Sequence, residues 1–164
     1  MNDFPHTLKI VTVWLVAGLL LFLGFQAWQS HAGRTRFVLQ GGAIEIRRAP
    51  DGHYHWPGRV NGVAVDFLVD TGATSTALPQ ALAERAGLEV VGRVTSQTAG
   101  GRVHGTLARA DIALDGGVQA RQLRVAVLPG LRTPLPGMDV LGRLRLSQHD
   151  GVLRLEPSTA AVAR

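Results

Sequence analysis

"FLVDTGATSTALP", residues Phe67 to Pro79, is the stretch whose reading decides the fold. The apolar run Phe67-Leu68-Val69 ends in a carboxylate, Asp70, and Thr71, Gly72 and Ala73 follow at once. In isolation, a carboxylate at the end of an apolar strand caps a turn or a helix. The flanking sequence narrows that reading. Upstream, "HYHWPGRVNGVAVD" sets Asn61-Gly62 between alternating apolar runs, a strong hairpin signal that pairs Val60 with Val63 onward. Downstream, "LPQALAERAGL" starts with a proline, repeats Leu78, Ala81, Leu82 and Leu88 at helical spacing, and stops at Gly87.

Further along, "VVGRVTSQTAGGRVHGTLARADIAL" reads as two strands around Ala99-Gly100-Gly101, and "ALDGGVQARQLRVAVLP" as a hairpin turning at Asp115-Gly116-Gly117. A helical turn follows Gly137, and the last hairpin passes through Asp150-Gly151. Many short strands at this spacing predict a mainly β domain, a closed barrel or sandwich with one or two short helices. The 20 glycines suit such turns, and with aromatics at only 5% the core falls to Val, Leu and Ala. The absence of cysteine excludes disulfides, thiol catalysis and cysteine–zinc sites. The net charge of +5 comes from arginines scattered along strands and turns, with no aromatic-laced basic cluster, so no nucleic-acid partner is expected.

The N-terminal segment differs in kind. "IVTVWLVAGLLLFLGFQAW", Ile10 to Trp28, carries no charge and has the length of a transmembrane helix. A cleaved signal peptide is the rival reading, since Lys9 precedes the run and Ser30-His31-Ala32 resembles a cleavage site. The chain therefore divides into an N-terminal segment (1–28, the span at about 10–28), a linker and lead-in (29–52) with a short strand around Ala43–Arg47, a domain (53–157) and a disordered tail (158–164). Arg34 and Arg36 after the span favour a cytoplasmic C-terminus.

With these residues in view, the sequence resembles the retropepsin-like aspartic proteases, and within them the membrane-anchored, single-domain bacterial type. The resemblance covers about His53 to Glu156. "NGVAVDFLVDTGAT" is its most specific piece; "TAGGRVHG", Thr98 to Gly105, is similar to the flap hairpin; "LPGMDVLGRL", Leu135 to Leu144, is similar to the Leu-Leu-Gly-Met segment and the helix after it. Two departures stand out: Pro136 takes the second apolar position of that element, and Pro134 lies close by. A competing register places the element at Val140-Leu141-Gly142. The resemblance implies a retropepsin-like fold, an inner-membrane location with the domain facing the periplasm, against the hint from Arg34 and Arg36, and aspartic endopeptidase chemistry.

It also implies roles for residues. Asp70 is the catalytic carboxylate, with Thr71, Gly72 and Ala73 as its supporting loop. Thr98, Ala99, Gly100 and Gly101 form the flap, and Leu135 and Gly137 the Leu-Leu-Gly-like element. The chemistry needs two carboxyl groups, one ionised and one protonated. None of the other aspartates is followed by Thr-Gly or Ser-Gly, so a two-lobed monomer is excluded and a homodimer with one Asp70 from each subunit is expected. The expected partners are a second copy, a protein or peptide substrate, and the membrane. No cofactor and no metal are expected: His53 and His55 share a strand face but lack a third ligand. Ser75 lacks the G-x-S-x-G setting, and the glycines make no phosphate-binding pattern. The other reading is a non-catalytic module of the same fold that dimerises or binds peptide.

Overall fold

The computed structural model describes residues 6–32, 35–98 and 100–158, and the chain forms two compact units, one ending at Arg34 and one starting at Thr35. The first unit is a single helix, α1 (His6–Ala32). Its described side chains run from Ile10 to Gln26, and nearly all are exposed; Trp14, Leu15 and Leu21 stand mostly bare. The expected transmembrane segment, about 10–28, lies within this helix. Among the described residues no helix is long and apolar enough to cross a membrane.

The second unit is mainly β. Its strands are β1 (Arg36–Leu39), β2 (Ile44–Arg47), β3 (His55–Val60), β4 (Val63–Leu68), β5 (Ala77–Pro79), β6 (Glu89–Thr98), β7 (Gly101–Leu114), β8 (Val118–Leu128), β9 (Leu144–His149) and β10 (Val152–Pro157). Two short helices interrupt them, α2 (Gln80–Arg85) and α3 (Met138–Leu141). Seven strands form one sheet in the order β1-β8-β7-β3-β4, with β5 beside β8 and β6 beside β7, and β2-β10-β9 form a second sheet. β1 and β2, within the segment read as linker and lead-in, thus pair into the two sheets.

Local chemistry explains these elements. Asn61 (φ 46°) and Gly62 (φ 84°) both take positive φ, as a two-residue I′ turn requires, and Val60 pairs with Val63 across them. In β3 the burial alternates, so Trp56, Gly58 and Val60 face the core while Pro57 and Arg59 face water. α2 begins after Pro79, whose fixed φ suits a helix start, and the chain leaves it through Gly87 at φ 59°. The core takes Trp56, Phe67 and Val125 from the larger sheet, Ile46, Leu153 and Leu155 from the smaller, and Val140 and Leu141 from α3. Both sheets therefore share one apolar interior. The expected closed barrel is corrected to two open sheets: β1 and β4 end the path of the larger sheet and are not paired with each other.

Candidate active site

β4 delivers Asp70. Its last residues are held from both sides: Leu68 N–H donates to the Pro134 carbonyl (2.9 Å) and Val69 N–H to the Tyr54 carbonyl (2.9 Å). Asp70 is half-buried, and Thr71 and Gly72 are exposed. The carboxylate oxygen Oδ1 of Asp70 accepts the Gly72 N–H at 2.8 Å, and the Asp70 carbonyl accepts the Ala73 N–H at 3.3 Å. Short side-chain-to-backbone bonds of this kind are what an aspartate offers a tight turn. The loop fixes the carboxylate by its own backbone and leaves the other oxygen, Oδ2, without a hydrogen bond among the described residues.

The loop leans on a segment more than sixty residues later. Met138 N–H donates to the Ala73 carbonyl (2.8 Å) and Asp139 N–H to the Thr74 carbonyl (3.2 Å). Leu135 and Ala77 exchange both backbone bonds, at 2.8 and 2.9 Å, so the missing N–H of Pro136 removes nothing from that pair. Gly137 lies flat against Ser75: a Cβ there would run into the Ser75 carbonyl group. Val140, Leu141 and Gly142 belong to α3 and the residue that ends it, with the two aliphatic side chains in the core.

Asp139 and Thr76 were not singled out as site residues by sequence reasoning. Thr76 is fully buried, so its polar groups must be paired within the protein. The Asp139 carboxylate accepts the Thr76 N–H at 2.9 and 3.0 Å, the Thr76 hydroxyl at 2.8 Å and the Val140 N–H at 3.0 Å. The Thr76 hydroxyl oxygen in turn accepts the Gly137 N–H at 3.3 Å. One carboxylate therefore fastens the chain leaving the Asp70 loop to the first turn of α3. The available signal was an acidic residue two positions after Gly137, where a helix start favours negative charge.

Of the residues read as the flap, Thr98 ends β6, Gly101 starts β7 and Gly100 lies between them. Thr98 pairs with Gly101, and the Thr98 hydroxyl donates to the Gly101 carbonyl at 2.9 Å. Gly100 is exposed, and Ala99 lies outside the described residues. An open groove of about 760 Å³ follows the base of the β6–β7 hairpin and α2, between Leu88, Val94, His104 and Val127; Asp70 is not among its lining residues.

His53 and His55 do not act together. Asp51 accepts the His53 N–H through Oδ1 at 2.9 Å, while its Oδ2 lies 2.8 Å from His55 Nε2. The other ring nitrogen of His55 lies 2.9 Å from Asp66 Oδ2. The Asp51 contact, joined by Asp66, raises the His55 pKa above its ordinary value, and the His53 N–H, helped by His55, lowers that of Asp51. A raised histidine pKa gives stabilisation that is complete below the unfolded value near 6.5 and fades as pH climbs through the folded one. The His55 ring is accordingly expected to titrate above about 6.5 by NMR, and Asp51→Asn to bring it back down. An unmoved midpoint in Asp51→Asn contradicts the assignment.

A mainly β domain that presents an aspartate at the end of a buried strand, on a loop braced by a Gly-containing segment and helix from the other end of the chain, is of the retropepsin class. The family described as "gag-polyprotein putative aspartyl protease" matches residues 56–143, more than half the chain. The chain belongs to this retropepsin-like aspartic protease family. A retropepsin-like aspartic protease from Rickettsia conorii is similar at 26% identity and TM-score 0.55, over 74% of this chain and 93% of that one. EIAV protease, solved with the inhibitor HBY-793, shares 19% identity at TM-score 0.47, over 57% and 88% of the two chains. The retroviral protease-like domain of Ddi1 from Leishmania major shares 20% at TM-score 0.41, over 64% and 94%. No curated protein matches the chain.

Proposed function

We propose that this protein is an aspartic endopeptidase that works as a homodimer. The observation that carries the reading is the loop itself. Asp70 is held by Gly72 and braced from Leu135 to Asp139, in a chain of the aspartic protease family with one such loop. Two carboxyl groups about 3 Å apart cannot both ionise, so a pair of Asp70 side chains shares one proton. The ionised member takes a proton from a water molecule. The protonated member polarises the scissile carbonyl, and the water adds without a covalent intermediate. Because one chain supplies one acid, a two-fold axis beside Thr71 and Gly72 brings the second. Both residues are exposed in the single chain, as a contact between identical loops requires.

In this reading Thr71 bonds across the axis, and Ala73 keeps the cleft floor shallow. The β6–β7 hairpin closes over an extended peptide that lies as an added strand. The exposed apolar side chains of α1 hold the enzyme at a membrane, where confinement raises the effective concentration for pairing. Peptide cleavage at acidic pH by the full chain in detergent, blocked by pepstatin, is the expected result. A folded dimer that binds peptides and cleaves none across a broad library would establish a binding module instead.

A further inference from the structure

A second cleft, of about 530 Å³, opens where the Asn61-Gly62 turn, Gly87 after α2, the first residue of β6 and the irregular centres of β7 and β8 converge. Neither Asp70 nor the flap tip lines it. Its wall is built from departures from regular structure. The β7–β8 register shifts between Ala110 and Ile112, and Gln122 takes φ 54°.

Most of the polar groups here are committed. Asn61 and Asp111 bind each other twice, Asn61 N–H to the Asp111 carbonyl and Asp111 N–H to Asn61 Oδ1, both at 2.8 Å. The Asn61 side-chain amide donates to the Ala86 carbonyl (3.2 Å), and Gln122 N–H donates to Asp111 Oδ1 (2.7 Å).

Arg109 is among those that are not. Its Nη1 is buried and has no hydrogen-bond partner among the described residues. A guanidinium stays charged at any relevant pH, and a buried donor without an acceptor is costly. Glu89 lies directly opposite on β6 and lines the same cleft, yet no ion pair joins the two among the described residues. Arg124 lies opposite on β8, so the register places a like charge on one side of Arg109 and a carboxylate on the other.

We propose that this cleft binds a small zwitterion, a free amino acid or a dipeptide, with its carboxylate on Arg109 and its ammonium toward Glu89. With Nη1 turned out of its buried position, the guanidinium fork matches a carboxylate in two parallel bonds. Glu89 and Asp111 in the same lining oppose a dianion such as phosphate and favour a ligand that brings its own cation. The volume suits a small molecule.

The test titrates the isotope-labelled full chain in detergent micelles, by NMR, with alanine, dialanine, N-acetyl-dialanine, dialanine amide and inorganic phosphate. At least one zwitterion should shift the Gly62, Gly87 and Gln122 amides saturably, and the capped forms should bind at least about tenfold more weakly. A response to alanine alone identifies a free amino acid, and one to dialanine a peptide. Arg109→Gln should abolish the response. Glu89→Gln changes an exposed residue, so it tests the idea even if Arg109→Gln does not fold. It should weaken the zwitterion and leave the N-acetyl form unchanged. No saturable shift with either zwitterion, shifts with phosphate alone, or full binding by either variant overturns the proposal.

Discussion

Asp70→Asn is expected to remove peptide cleavage by a factor of roughly 10³ or more while leaving the domain folded. General acid–base groups contribute about 10²–10⁴ each, and in a symmetric dimer the substitution strikes both members of the pair at once. The fold should survive, because an asparagine has the same shape and its Oδ1 can still accept the Gly72 N–H. Unchanged circular dichroism and melting temperature, with lost turnover, are the signature. Residual cleavage within a few-fold of the parent would mean that Asp70 is not the acid.

The next largest effect belongs to Asp139→Ala, and it appears in stability as well as rate. The substitution strips the acceptor from the Thr76 N–H, the Thr76 hydroxyl and the Val140 N–H. Hydrogen bonds to a charged group contribute about 1.5–3 kcal/mol each, and the bonds to a single carboxylate are not additive, so a net loss of about 3 kcal/mol is expected. In a domain of this size that lowers the melting temperature by roughly 10 °C. The Asp70 loop loses its tie to α3, so kcat should fall in the molecules that remain folded. Asp139→Asn keeps one acceptor oxygen and should lie between. A melting temperature within about 2 °C of the parent in Asp139→Ala would show that the backbone bonds from Met138 and Asp139 brace the loop by themselves.

The contrast between Asp70 and Asp139 shows what this sequence makes legible. Asp70 announces itself because its determinants are contiguous: an apolar strand, the acid, then residues that permit a tight turn. The Asn61-Gly62 hairpin, the β6–β7 hairpin and α2 are readable for the same reason, since each is written in adjacent residues. Asp139 acts on Thr76 across 63 positions, and local sequence carries no sign of that distance. The parallel pairing of β5 with β8 is equally non-local. Closure of the sheet was misread because strand count and spacing do not say whether the first and last strands meet.

Co-expression of the parent chain with Asp70→Asn, at graded ratios, tests most directly whether the active site is assembled from two chains. If one proton is shared between two Asp70 side chains, only dimers with both acids cleave, and activity follows the square of the parent fraction, about one quarter at equal amounts. A linear decline, with about half the activity remaining at equal amounts, would contradict the account: each chain would then carry a complete site of its own.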